Sequence, residues 1–234
     1  MKWQIHHRAV TVSTNLDARA GVPGDVFTAD EQTAGRGRLD HVWLSPPGEN
    51  LMFSAVLDVA DRDPSQVATL PLVIGLAVAE AVEEMLARSL SLKWPNDVLI
   101  DGRKVAGILC ERHGETVIAG VGLNVNQRTF APEIADRATS LVLQDGCVRE
   151  VRNVLASVLE QMAVRVAQWR TGGFGALLES FDARDALKGR CVSIRQTDTD
   201  ETPVTGLCAG VQADGTLRVG GTDIHAGEAH VMCQ

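Results

Sequence analysis

The 234-residue chain is 45% hydrophobic and 22% charged, values of an ordinary globular fold that exclude a disordered, collagen-like or coiled-coil chain. Lys and Arg number 22 against 30 Asp and Glu, a net charge of −8, and a field of that sign repels phosphate backbones and anionic lipid. Neither nucleic acid nor a membrane is an expected partner, and the length suits one large domain or a large domain with a small companion.

The first ten residues hold Trp3, His6, His7 and Arg8 but no apolar stretch before a small-residue cleavage site, so no secretion signal is expected. A short helix is expected after Ser13, and β-prone runs at 25–31 and 50–59 read as strands. Leu70, Ile74, Ala77, Val78, Ala81, Val82, Met85 and Leu86 keep helical spacing, with Thr69 as N-cap and Pro71 in the tolerant first turn. The uncharged part of that helix, 67–79, is shorter than the ~20 residues a bilayer requires, so no membrane span is expected. Further strands fall at 91–94, 98–100, 104–111 and 116–125, with tight turns at Asp101-Gly102 and His113-Gly114.

A second helix runs from Val151 through Trp169 to Gly172-Gly173, and a third carries Phe174, Leu177, Leu178 and Phe181. After Gly189 the pattern changes to short β-prone runs at 191–195, 204–212, 216–219 and 223–226 without helical periodicity, which predicts a small β-barrel behind an α/β (α+β) domain. The expected division is 1–183 and 184–234. Cys110, Cys147, Cys191, Cys208 and Cys233 form no C-x-x-C pair and fit idle thiols in a reducing compartment, the cytoplasm. The histidines have no zinc-ligand spacing.

Four segments concentrate polar chemistry. Gln32-Thr-Ala-Gly35-Arg36-Gly37-Arg38, followed by Trp43, places two guanidinium groups on a backbone freed by glycine, suited to an anionic ligand. Taken alone it fits a flexible basic surface loop as well, and it matches neither the dinucleotide fingerprint nor the P-loop. Lys93-Trp94-Pro95-Asn96-Asp97 ends a strand whose hairpin returns Lys104 toward it, with Gly107-Ile108 beyond. Ser13-Thr14-Asn15 on its own reads as a helix cap, and Gly120-Val-Gly122-Leu-Asn124 as a strand that another chain can approach closely.

In order and spacing, these four segments resemble the biotin protein ligases that serve acetyl-CoA carboxylase, over most of the chain and including the small C-terminal barrel. The resemblance implies a mixed central sheet with flanking helices and a two-step reaction. Biotin and ATP would give biotinyl-5′-AMP with magnesium on the phosphates, and a lysine of a biotin carboxyl carrier protein or domain would then take the biotinyl group. Lipoate ligases share the fold, but their signature is missing.

By the same resemblance Ser13, Thr14, Asn15 and Gln32 would face biotin, and Arg36, Gly37 and Arg38 would close over biotin and phosphate. Lys104 would contact the carboxylate or acyl phosphate, Gly107 and Gly122 would admit the ligand, and Lys93 would hold phosphate. Trp43 and Asn124 would meet the nucleotide, residues 128–141 would close over adenine, and Asn96 and Asp97 would orient Lys104 or a magnesium ion. Asp40 and His41 stand where relatives often carry Gly and Arg, which removes one expected phosphate contact. With Ser13 already in the first motif, a winged-helix operator-binding domain and a repressor function are not expected; a homodimer is compatible but not required. An inactive biotin-sequestering homologue would have shed Arg36, Arg38, Lys93 and Lys104, all of which are present.

Overall fold

The computed structural model describes residues 1–38, 41–195 and 203–232, so Asp40 and Cys233 lie outside the described residues. In chain order the elements are β1 (Gln4–Thr11), α1 (Thr14–Asp17), β2 (Asp25–Gln32), β3 (Leu51–Asp58), α2 (Pro64–Val67), α3 (Leu70–Leu86), β4 (Ser91–Lys93), β5 (Asp97–Ile100), β6 (Arg103–His113) and β7 (Thr116–Leu123). They continue with α4 (Leu141–Asp145), α5 (Val151–Gly172), α6 (Leu178–Asp182), β8 (Cys191–Arg195), β9 (Val204–Val211), β10 (Leu217–Val219), β11 (Thr222–Ile224) and β12 (Glu228–Val231).

The first seven strands form one mixed sheet in the order β1-β2-β3-β7-β6-β5-β4, with β1 parallel to β2 and the other pairs antiparallel. Its two faces follow from the two-residue period of a strand. On one face Phe53, Ala55 and Leu57 of β3 and Val117, Ala119 and Val121 of β7 join the main core, which α3 and α5 cover. The opposite face carries Met52, Ser54 and Val56 of β3 in register with Gly122, Gly120 and Ile118 of β7, and α1 lies on it.

The helical stretch Pro64–Leu86 has the length and hydropathy of a membrane-crossing helix, longer than the uncharged run foresees, yet 72% of its most apolar window is buried inside the protein. It is the core helix. Thr69 is not the side-chain cap that the spacing predicts. The preceding turn of α2 already holds it in helical conformation, and its hydroxyl donates to the Gln66 carbonyl at 2.7 Å while accepting from the Trp169 indole at 3.0 Å.

The C-terminal strands form a separate antiparallel sheet in the order β11-β10-β9-β8-β12. It differs from the expected barrel in that its edge strands β11 and β12 do not pair among the described residues. Gly227, at φ +141°, redirects the chain so that β12 pairs with β8, and three-residue β10 and β11 are short enough to end the sheet without closure. The Trp94 indole donates to the Gly215 carbonyl at 3.1 Å, and Leu92 exchanges backbone bonds with Arg184 and Ala186, fixing this sheet beside β4.

Candidate functional site

A cavity of about 130 Å³ opens above the glycine-bearing face of the large sheet; the single candidate residues except Asn124 line it, and no residue of the 128–141 segment does. Its floor is set by cross-strand register. Gly107 of β6 stands opposite Gly122 of β7, and Leu109 opposite Gly120. Each of these β7 glycines makes room for one side chain. A Cβ at Gly122 would meet the Trp43 indole at 2.4 Å, and one at Gly120 would meet Asn15 Oδ1 at 2.1 Å.

One end of the cavity is a tier of hydroxyls and amides. Ser13 has the extended backbone of a helix cap, but its side chain makes no capping bond and instead lines the cavity. Gln32 Oε1 accepts from the Thr14 amide at 2.7 Å and lies 3.1 Å from its hydroxyl. Thr14 Oγ1 is 2.8 Å from Ser54 Oγ, which donates to Asn15 Oδ1 at 2.6 Å. Asn15 Nδ2 in turn donates to Glu111 at 2.7 Å. Ser54 and Glu111 escape a motif reading, since Ser54 sits within an apolar strand and Glu111 near a hairpin end. The alternation of β6 is the available signal, because Glu111 shares a face with Gly107 and Leu109.

The opposite wall is cationic. Arg36 pairs with Val42 as an isolated antiparallel bridge, Gly37 donates to the His41 carbonyl at 2.7 Å and Trp43 to the Gly35 carbonyl at 3.0 Å. The basic loop is thereby folded into a small hairpin that brings Trp43 back over the floor. Arg36 pairs with Glu111 at 3.0 Å. Arg38 donates to Asn96 Oδ1 and to the Gly227 carbonyl, each at 3.3 Å. Burial pushes its guanidinium below its ordinary value, opposed by the charges of Asp97 and Glu228.

Lys104 Nζ lies 2.6 Å from Asp97 Oδ1 and 5.9 Å from the centre of the Trp43 ring. The Lys104 backbone is clamped as well, its amide donating to Arg137 O and its carbonyl accepting from Thr139. The end of the 128–141 segment is thus tied to β6 at Lys104. Asn96 donates to the Ile108 carbonyl at 2.8 Å. Lys93 makes no ion pair among the described residues, and the buried Trp43 indole N–H has no partner among them. Asn124 is not part of the lining; its amide donates to the Thr139 carbonyl at 2.9 Å and holds the 139–141 turn. Exposed His41 borders the cavity, and Glu228 and Ala229 of β12 complete the wall.

The arrangement combines an amide-rich recess with four cations on an acidic chain, suited to a neutral polar ring at one end and to phosphate at the other. No cysteine lines the cavity, and burial pushes the thiol of Cys110, next in sequence to the lining Leu109, up to about 12, which disfavours its thiolate form.

Residues 10–127 match the sequence model of the biotin/lipoate A/B protein ligase family. A biotin--[acetyl-CoA-carboxylase] ligase of Mycobacterium tuberculosis is 36% identical over 89% of this chain and 80% of its own length. The bifunctional ligase/repressor BirA of Bacillus subtilis is 37% identical over 64% of this chain, which spans 48% of that relative. Among solved structures, the biotin protein ligase from Aquifex aeolicus in complex with biotin and ATP superposes with a TM-score of 0.87 at 31% identity, covering 98% of this chain and 99% of that one.

Proposed function

The chain belongs to the biotin/lipoate A/B protein ligase family, and from that premise we propose that it activates biotin with ATP and transfers it to a lysine of the biotin carboxyl carrier domain of acetyl-CoA carboxylase. The observation that carries this reading is the gathering of Arg36, Arg38, Lys93 and Lys104 around one cavity on a chain of net charge −8.

The first step drives the biotin carboxylate oxygen onto the α-phosphorus of ATP, forming the acyl-phosphate bond of biotinyl-5′-AMP as pyrophosphate leaves. Two like charges at ~4 Å repel by ~4 kcal/mol at an effective dielectric of ~20, so fixed cations at this point lower the barrier. Lys104, steadied by Asp97, serves the carboxylate and the acyl-phosphate oxygen. Arg38 and Lys93 serve the phosphates, and the Trp43 indole N–H is available to an acceptor on the nucleotide. Ser13, Thr14, Asn15 and Gln32 offer the donors and acceptors that the ureido ring of biotin matches. In the second step the carrier lysine, as a free amine, attacks the acyl carbon; AMP leaves and the nitrogen gives up a proton.

Magnesium belongs to this scheme as part of the nucleotide substrate. It would offset the charge of the triphosphate, and Asp97, which lines the cavity beside Lys104, is the carboxylate that would orient it. The described cysteines are all free, which suits work in the cytoplasm beside the carrier.

Purified protein given biotin, ATP and magnesium is expected to release pyrophosphate only when biotin is present, and to label one lysine of an added carrier domain by mass spectrometry. Preferential use of lipoate would overturn the reading. Gly122→Ala forces the Trp43 indole off its floor, and its expected signature is a fall of ~10-fold or more in adenylation with biotin affinity nearly unchanged; titration of biotin separates the two.

A further inference from the structure

Glu111 stands outside every motif in the chain, yet its carboxylate joins the two halves of the recess. One oxygen accepts from Arg36 Nη1 at 3.0 Å, and the other accepts from Asn15 Nδ2 at 2.7 Å and lies 3.2 Å from the same guanidinium nitrogen. Arg19 approaches to 4.0 Å. We propose that Glu111 is a positioning residue for biotin, orienting the Asn15 amide and anchoring Arg36 so that the recess and the basic hairpin form one rigid biotin site. This deepens the ligase reading and rests on it.

The argument turns on what a carboxylate can accept. An ionised carboxylate has lone pairs and no hydrogen to give, so Asn15 must turn its NH₂ toward Glu111 and its carbonyl toward Ser54. Ser54 then donates inward at 2.6 Å and is itself within 2.8 Å of Thr14. This one acceptor therefore sets which way Asn15 and Ser54 face, while Gln32 is set independently by the Thr14 backbone amide. Without Glu111 the Asn15 amide has no external reference, and a half-turn about its last torsion exchanges donor and acceptor toward the ligand at little steric cost. Gly120 leaves the space that this amide occupies.

The Arg36 bond works on the backbone. The side chain is 43% exposed, and a long exposed arginine holds one rotamer only against its own entropy. Bound to Glu111 on β6, it fixes the Gly35-Arg36-Gly37 backbone along the cavity rim. Of the four cations, Arg36 is thus spent on the biotin end, while Arg38 and Lys93 have no carboxylate within ion-pair distance among the described residues and remain for phosphate.

The test measures biotin and nucleotide separately in the wild type and in Glu111→Ala, Glu111→Gln and Glu111→Asp. Glu111→Ala is expected to raise the biotin Kd and KM by ~10-fold or more, leaving kcat at saturating biotin within ~3-fold and the affinity for a non-hydrolysable ATP analogue within ~2-fold. Glu111→Gln keeps an acceptor for Asn15 but loses the charge facing Arg36, so it should fall between wild type and Glu111→Ala; it also carries the test if the alanine variant melts. Glu111→Asp, charged but too short to span both partners, should not restore wild-type KM. Because Glu111 acts partly through Arg36 and partly through Asn15, the double variant R36A/E111A should be worse than R36A alone, yet by less than the full loss that Glu111→Ala causes in the wild type. A biotin KM within ~2-fold of wild type in folded Glu111→Ala, or a loss spread equally over kcat and both KM values, would overturn the role of Glu111. A wild-type protein that releases no pyrophosphate with biotin would instead overturn the ligase reading, and this proposal with it.

Discussion

Replacing Lys104 with alanine should lower adenylate formation by ~30–150-fold, the equivalent of ~2–3 kcal/mol for a preorganised electrostatic contact removed from a transition state. The amine is fixed in three ways, by Asp97 at 2.6 Å, by the Trp43 ring beneath it and by backbone bonds to Arg137 and Thr139. Its removal also leaves Asp97 unpaired in a cavity that must accept a carboxylate and a triphosphate. The double variant Lys104→Ala, Asp97→Ala should therefore recover part of the rate that the single variant loses, because the second change removes an anion that repels both substrates. Single-turnover pyrophosphate release checks both statements. A Lys104→Ala protein of unchanged circular dichroism and near-normal rate would remove Lys104 from the chemistry, and a double variant slower than the single one would remove Asp97 from the electrostatic account.

The largest expected loss of stability is at Trp169. This side chain is 2% exposed, Arg62 lies over its ring, and its N–H donates to Thr69 Oγ1, so it joins α5 to the start of the core helix. Trp169→Ala should cost ~3–5 kcal/mol through lost burial and the cavity left behind. At ~2–4 °C per kcal/mol for a chain of this size, Tm should drop by roughly 6–20 °C. Trp169→Phe keeps most of the apolar surface and loses the bond to Thr69, so a cost near ~1 kcal/mol is expected before repacking. Thermal melts of the two variants separate burial from hydrogen bonding: equal losses would show that the polar contact governs.

The strands and helices with strong periodicity were legible because a single physical cause, burial on one face, wrote their pattern. β3, buried along almost its whole length, and α3, with its apolar stripe, are of this kind. β1 was not, since Gln4–Thr11 is an edge strand exposed at most positions and its sequence therefore resembles a polar terminus. The short helices α2 and α4 have too few turns to show a period, and β12 is a four-residue strand that alternates between exposed and buried residues over too short a span. In the cavity, residues inside glycine-rich or charged motifs could be read directly. Ser54 and Glu111 could not, because their role comes from register across β3, β7 and β6, and register is a property of pairs of strands.

The bond from Arg38 to the Gly227 carbonyl spans 189 positions of sequence, and Glu228 and Ala229 close the same wall. During synthesis at ~5–20 residues per second, Gly227 is made roughly 10–40 seconds after Arg38. The residues of the glycine floor and of the hydroxyl-amide recess are made well before that moment, while the half-buried Arg38 guanidinium still lacks its carbonyl. A nascent chain that has reached Leu123 but not Gly227 therefore holds the residues of the recess without the carbonyl and the β12 residues that complete the cationic wall.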